Sequence, residues 1–502
     1  MFIPPPRGPR QRGPSNEPLS GVSQRADAPA DAALDDAAPP EVIDAPARGL
    51  ARLGIALADW SQRWFPDAFV FALLAVLIVF VAGLFLGAGA GNLIRCFGEG
   101  FWSLIPFTLQ MALIIIGSYV VATSPPVYRL IRWLSGIPRT PRAAVAFVAF
   151  FSMATALISW GLSLIFSGIL AREVVKKVAR LDYRAVGAAA YLGTGSIWAL
   201  GFSSSAALMM ATPSSMPAGL FKISGAIPLR QTIGTWQSMA TALVLAVSAI
   251  TVAYLSAPTG STKTAESFGV IQGLEIPRLE KRSTPGEWLE YAPWLSIIIA
   301  AMGLAYLAQI FVARGPLAAL DLNTYNLLFL MVGLLLHWRP RSFIRAVNDA
   351  VPATSGVLIQ FPFYGGIFGI VTMSPIARLL ANFFVRVSSH GTYPLLVAIY
   401  SAILGMFVPS GGGKWVIEAP YVLQAAKDLR VNLGWVVQIY NASEALPNLI
   451  NPFWMLPLLG ILKVRARDLV GYGLLQLAVN SVLVIFLMWF FARTFVYIAP
   501  AP

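Results

Sequence analysis

Apolar residues run along most of this chain in blocks of about 20, the length a helix needs to cross a bilayer, separated by short polar or basic segments. The blocks that predict spanning helices are 68–86, 101–122, 185–211, 232–255, 292–312, 320–336, 353–373, 433–462 and 469–491. Two other apolar stretches stop early. The stretch 143–158 meets Ser159-Trp160-Gly161, and its continuation is halted by Arg172, Glu173, Lys176, Lys177 and Arg180. The stretch 394–408 meets Pro409-Ser410-Gly411-Gly412-Gly413, and its continuation reaches Lys427, Asp428 and Arg430. Each predicts a re-entrant hairpin with a polar tip, the alternative being two closely spaced ordinary spans. Residues 1–41 have scarcely any large apolar side chain and are expected to form a disordered tail. Residues 42–65 mix Leu50, Leu53, Ile55, Leu57, Trp60 and Trp64 with Arg48, Arg52 and Arg63, the pattern of an amphipathic helix at the membrane interface.

Displacing the chain on itself by 250 positions pairs Pro66 with Pro316, Gly83 with Gly333, Arg95 with Arg345, Glu99 with Asp349, Gln110 with Gln360, and Ser124-Pro125 with Ser374-Pro375. The hairpin tips correspond one residue out of register, Ser159 with Ser410 and Gly161 with Gly412. The pattern is that of a duplication, with repeat 1 at 66–256, a cytoplasmic linker plus connecting helix at 257–315, and repeat 2 at 316–495. Each repeat holds four full spans and a hairpin that returns to its own side. One connecting span between two even sets inverts the second. The fold class expected is therefore an all-α polytopic membrane protein of two inverted-topology repeats, each with a re-entrant hairpin and a broken helix. Secondary transporters are commonly built this way, with the site near the midplane.

Composition narrows the reading. The chain is 57% hydrophobic and 12% charged, with mean hydropathy +0.70, which excludes a large soluble enzyme. The net charge of +13 reflects topology rather than nucleic acid, because the basic residues gather in the segments 129–142, 172–184, 263–282, 339–345 and 463–467. By the positive-inside rule these face the cytoplasm, which puts the N-terminus inside and the C-terminus outside after nine spans. One cysteine, Cys96, and two distant histidines, His337 and His390, leave no cysteine-built or HExxH metal site, and no cofactor is expected. A membrane-embedded enzyme with Ser410 or Ser203 as nucleophile lacks both a G-x-S-x-G elbow and a nearby histidine.

Non-helical backbone at membrane depth is tolerated only beside protein or a water-filled cavity. Four polar interruptions therefore carry the candidate chemistry: 159–163, 193–205, 409–414 and 444–451. For a small anion, the helix start after Ser410-Gly411-Gly412-Gly413 offers backbone N–H groups, and glycine permits close approach. Ser159, Ser163, Ser203, Ser204 and Ser205 add uncharged donors. Lys414 either compensates the substrate charge or pairs with Glu418 four residues on. Glu444, with Asn448 and Asn451, is the candidate for a coupling ion, either Na+ held with amide and backbone oxygens or a proton.

These segments also resemble a known family. Phe101-Trp102 with Gln110-Met111-Ala112-Leu113-Ile114-Ile115, Ser159-Trp160-Gly161-Leu162 leading into Ala171-Arg172-Glu173-Val174, and Ala211-Thr212-Pro213 are the first matching stretches. They continue with Asn326-Leu327 through His337, Gln360-Phe361-Pro362-Phe363-Tyr364, Val408 to Gly413 with Trp415-Val416-Ile417, and Pro452-Phe453-Trp454. Together they are similar to the short-chain fatty acid transporter family, a branch of the ion-transporter superfamily, over nearly everything from Trp60 to Phe491. The resemblance implies a bacterial inner-membrane symporter for short-chain carboxylates such as butyrate or acetoacetate, with an elevator-type fold and coupling to Na+ or H+. A homodimer is an assembly open to it. Lys414 with Glu418, the segment 201–205 and the segment 442–451 depart from the family pattern. They leave a dicarboxylate or amino-acid carrier, using Lys414 and Arg172 for extra positive charge, as the alternative.

Overall fold

The fold is taken from a computed structural model, which describes residues 68–258, 263–270, 279, 281–407 and 410–500. The expected tail, the expected interfacial helix, Val408 and Pro409 lie outside the described residues, as do residues 259–262, 271–278 and 280 of the linker. Among the described residues the secondary structure is entirely helical.

Among the described residues, seven helices are long and apolar enough to cross a membrane: Ala90–Ala122, Pro141–Ile158, Tyr183–Ala211, Trp236–Ser256, Pro293–Arg314, Pro340–Met373 and Ala466–Ala492. Six of them answer to six of the nine expected spans. The block 433–462 is a bent helix pair, Leu433–Ile450 and Trp454–Leu462 meeting at 43°. The block 68–86 forms the 18-residue helix Ala68–Phe85, and the block 320–336 becomes the shorter apolar helix Leu322–His337. The seventh long helix, Pro141–Ile158, was expected as one arm of a hairpin, and its 18 residues also meet the length of a span. Pro293–Arg314 is the most peripheral. It turns Ile298, Ile299, Met302 and Val312 outward, as a lipid-facing helix does.

Both apolar blocks that stop early fold back on themselves. Pro141–Ile158 and Trp160–Val175 are separated by Ser159 in an extended conformation (φ −156°, ψ 128°). The arms are antiparallel, for Ser163 Oγ donates to Ser152 O at 2.8 Å and the rings of Phe151 and Phe166 lie 6.1 Å apart. Tyr393–Phe407 and Gly411–Asp428 form the second hairpin, where Ser410 takes the same extended role (φ −152°, ψ 100°). There Tyr400 and Tyr421 share a hydrogen bond of 2.8 Å, and Tyr393 Oη donates to Val422 O. Each tip serine caps the arm after it: Ser159 Oγ accepts from Leu162 N at 3.4 Å and Ser410 Oγ from Gly413 N at 3.1 Å.

Elements recur along the chain at 249 to 252 positions: Ala90–Phe101 and Pro340–Ala350, Trp102–Leu104 and Val351–Thr354, Ile105–Ala122 and Ser355–Met373, both hairpins, then Tyr183–Leu192 and Leu433–Glu444. The two series touch through glycine. A Cβ on Gly369 would lie 2.1 Å from Cys96 O, and one on Gly100 would lie 2.5 Å from Gly365 O, so these backbones pack directly on each other. Small residues four apart allow such close crossings between membrane helices.

Candidate binding site

The two hairpin tips converge on one cavity of about 980 Å³. Trp160 and Gly161 enter its wall from the first tip, Ser410, Gly411 and Gly412 from the second. Trp198 and Ser205 contribute from the first broken helix, Asn448 and Trp454 from the second. In this way residues from all four interruptions share one space. The tips are also the starts of 16- and 18-residue helices, whose first-turn N–H groups have no partner within the helix. Aromatic side chains add to the wall: Trp160 and Trp454 meet edge to face at 5.7 Å, and Phe361 stacks on Phe107 at 5.5 Å. Arg172, Arg345, Lys463 and His337 line the same cavity.

The first break begins in a π-helical turn, Gly193–Ile197, tightens through Trp198–Leu200, and reaches extended backbone at Gly201. Glycine is required at Gly193 and Gly201, where a Cβ would lie 2.0 Å from Ser152 O and 2.3 Å from Leu157 O. Phe202 N then bonds Leu157 O at 2.7 Å, which fixes the break against the first hairpin. Ser203 Oγ accepts the N–H of Trp160 at 2.9 Å, and Ser204 Oγ caps Ala207 N at 3.3 Å. Of these three serines, only Ser205 lines the cavity. Ser159 is fully buried, 2.5 Å from Ser118 Oγ, and Ser163 is held inside the hairpin by Ser152; neither is among the lining residues. The expected serine donors therefore divide into Ser205 and Ser410 on the wall and Ser159, Ser163, Ser203 and Ser204, which are held by contacts off it.

Lys414 is fully buried and away from the wall. Its ammonium lies 3.1 Å from Glu418 Oε1, donates to Ser401 O at 2.7 Å, and sits 4.5 Å from the centroid of the Tyr440 ring. Glu418 Oε2 accepts from Ser401 Oγ at 2.7 Å. Lys414 thus takes the ion-pair role that the i, i+4 spacing allowed. Gly411, Gly412 and Gly413 serve packing as well as exposure: a Cβ would lie 2.6 Å from Trp198, 2.8 Å from Phe107 and 2.3 Å from Tyr364 respectively. Gly413 turns to Tyr364 and does not line the cavity.

Glu444 ends the helix Leu433–Glu444, is 1% exposed, and has no hydrogen-bond partner at either carboxylate oxygen. Asn448 lines the cavity with its Oδ1 also without a partner, while its backbone oxygen accepts from Tyr191 Oη at 2.8 Å. Asn451 is half-buried; its N–H bonds Asn448 O at 3.2 Å and it does not line the cavity. No group of three or more His, Cys, Asp or Glu side chains comes together among the described residues. Residues that sequence reasoning passed over include Trp198, Phe107, Ser118 and Ser401. Only Trp198 carried a signal, since it sits inside an interruption already identified.

Behind the wall, Gln110 joins segments far apart in the chain. Its Nε2 donates to Asn323 Oδ1 at 2.6 Å, its Oε1 accepts from Ser215 Oγ, and its backbone oxygen accepts from Asn326 Nδ2 at 2.9 Å. Elsewhere on the wall, His337 Nε2 lies 2.8 Å from Val120 O and Nδ1 lies 2.9 Å from Ser342 Oγ. The carbonyl partner assigns the proton to Nε2. Arg172 Nη1 donates to Ile461 O at 3.1 Å, bridging the first hairpin to the last part of the second broken span.

The family model for the short chain fatty acid transporter matches residues 49–491. A curated relative from Escherichia coli K12, named "Putative short-chain fatty acid transporter", is 35% identical over 437 residues, 86% of this chain and 98% of its own length. A relative of the same name from Haemophilus influenzae is 32% identical over 448 residues, 88% of this chain and all of its own. Among solved structures, the Alcanivorax borkumensis YdaH transporter, described as having an unusual topology, aligns with a TM-score of 0.59 at 14% identity. That alignment covers 87% of this chain and 100% of the other, and it is a likeness of fold alone. The chain belongs to the short-chain fatty acid transporter family, is a multi-pass membrane protein, and is not an enzyme.

Proposed function

We propose that the protein carries short-chain monocarboxylates, of the size of butyrate or acetoacetate, across the bacterial inner membrane through this cavity, coupled to a gradient of H+ or Na+. The observation that carries the reading is the meeting of both tip helices, with Ser205, Ser410, Gly411 and Gly412, on a cavity that Trp160, Trp198, Phe361 and Trp454 also line. A carboxylate suits the positive ends of two helices, and a short alkyl chain suits the indole and phenyl surface. Lys414, on which a dicarboxylate reading leaned, is already paired with Glu418.

The wall also carries Arg172, Arg345 and Lys463, which belong to the basic segments assigned to the cytoplasm. This supports a cytoplasmic N-terminus and a cavity open inward. The recurrence of elements at about 250 positions, with the long helix Pro293–Arg314 falling between residues 66–256 and 316–495, supports inverted repeats. Movement of the hairpins and broken helices as one body against the rest, in the manner of an elevator, is the corresponding mechanism. Uptake of labelled butyrate, acetoacetate and succinate into proteoliposomes, with Na+ and pH gradients imposed separately, tests the reading. Saturable uptake of the monocarboxylates driven by one gradient is expected. Uptake of succinate alone, or non-saturating flux of all three, refutes it.

A further inference from the structure

Glu444 is the acidic group whose surroundings the carrier reading leaves unexplained. Both of its oxygens lack partners, as do the neighbouring Ser443 Oγ and Asn448 Oδ1, and all of these atoms are buried. Gly411–Asp428 brings Lys414 and Glu418, which pair with each other. Tyr440, on the same helix as Glu444, donates to Gly411 O at 2.6 Å. Tyr191, from Tyr183–Leu192, donates to Asn448 O, while Tyr393 and Tyr400, from Tyr393–Phe407, are held by Val422 O and Tyr421. A bare carboxylate in so dry a place is strongly disfavoured unless a positive charge neutralises it.

Gly411 separates this carboxylate from the cavity. It lines the wall, and a Cβ built on it would sit 3.2 Å from Glu444 Oε2. We propose that Glu444 is a monovalent-cation site, filled by a proton or a sodium ion, whose occupancy is linked to the carboxylate bound on the opposite face of Gly411. The inference rests on the carrier reading and deepens it, for it names the residue through which substrate and driving ion sense each other.

The linkage follows from charge. With Lys414 and Glu418 cancelling, a cation on Glu444 leaves the region neutral before the anion arrives, and its absence makes the anion the second negative charge. At an effective dielectric of about 20, two like charges about 6 Å apart repel by roughly 100-fold in a binding constant. Linkage is reciprocal, so the anion strengthens cation binding by the same factor that the cation strengthens anion binding. One cation then accompanies each monocarboxylate.

The test compares wild type with Glu444→Gln, which keeps the shape of a neutralised carboxyl. Butyrate binding is measured in detergent across pH 6 to 8 without Na+, and across Na+ concentration at fixed pH; butyrate exchange is measured in proteoliposomes. In wild type, the apparent Kd rises with pH, by at most about tenfold per pH unit and about 100-fold in all, if the cation is a proton, or falls with rising Na+ over the same total range if it is sodium. In Glu444→Gln both dependences vanish while exchange persists. A variant that retains either wild-type dependence overturns the proposal. So does wild-type flux with no cation per butyrate, counted with an internal pH dye or labelled Na+, and this measurement needs no variant. Absence of butyrate exchange in wild type would instead refute the carrier reading itself.

Discussion

Removing the Lys414 ammonium tests how the second hairpin is held together. Lys414→Met keeps most of the side-chain volume but leaves Glu418, fully buried, with Ser401 Oγ as its remaining hydrogen bond, and leaves Ser401 O without the ammonium. Breaking a buried pair from one side costs about 3–5 kcal/mol, more than a hundredfold in the unfolding equilibrium. Glu418→Gln strands the ammonium against Ser401 O and the Tyr440 ring and is expected to cost a similar amount. Lys414→Met with Glu418→Gln removes both charges, so only the loss at Ser401 O remains, about 1–2 kcal/mol. The double variant should therefore unfold nearer to wild type than either single variant. The protein supplies its own reporter, because its one cysteine, Cys96, is buried and becomes reactive to a fluorogenic maleimide when the helices separate. Thermal ramps in detergent read the three midpoints. Singles within about 1 kcal/mol of wild type, or a double loss equal to the sum of the singles, would show that the ion pair does not brace the hairpin. Binding adds a second criterion. A brace makes the double variant keep its preference for butyrate over butyramide, whereas a lysine that neutralises substrate makes that preference disappear.

Gly412→Val places methyl groups where even a Cβ would lie 2.8 Å from the Phe107 ring, so butyrate should bind at least tenfold more weakly, and pairing it with Phe107→Leu should restore part of the loss; an unaffected KM in the single variant would argue against the tip as the site. Gly369→Leu drives a side chain into Cys96 O, 2.1 Å from the Cβ position, and should lower the unfolding midpoint by more than any single change on the lipid face of Pro293–Arg314, such as Met302→Ala. Cysteines at Thr284 and Arg314, both exposed and on either side of that helix, should react with an impermeant maleimide from opposite faces of the membrane, Thr284 from the cytoplasmic one; labelling of both from one face would defeat the inverted arrangement.

What the chain made legible was the position of backbone that does not belong in lipid. Ser159, Gly193 to Ser205, Ser410 to Gly413 and Glu444 to Asn451 stand out because glycine, serine and amide side chains interrupt apolar runs, and the structure gathers residues from all four around one cavity. The side-chain partners were not legible, because they come from distant segments. Ser401 braces Lys414 from the other arm of the hairpin, and Ser118 meets Ser159 from a helix 41 positions away. The glycines of the second tip read as open space for an anion, yet Phe107, Trp198 and Tyr364 fill the space on their other sides. Length was ambiguous for the same reason: the 18 residues of Pro141–Ile158 suffice for a span or a long hairpin arm, and only its contacts with Trp160–Val175 show the return.

The two hairpins, so alike in outline, are braced by different chemistry. Neutral hydroxyls hold the first, Ser152 with Ser163 and Ser118 with Ser159, while an ion pair holds the second, with Glu444 at its tip. Neutral hydrogen bonds respond weakly to a nearby charge, whereas a lone buried carboxylate responds strongly. A cation-dependent change in the anion's affinity is therefore expected to act from the Gly411 side of the cavity and to leave the Gly161 side unaltered. Ser118→Ala, which removes a hydroxyl beside the first tip, should accordingly shift butyrate affinity by the same factor at every pH and Na+ concentration, and a change in the slope of either dependence would show that both hairpins answer to the driving ion.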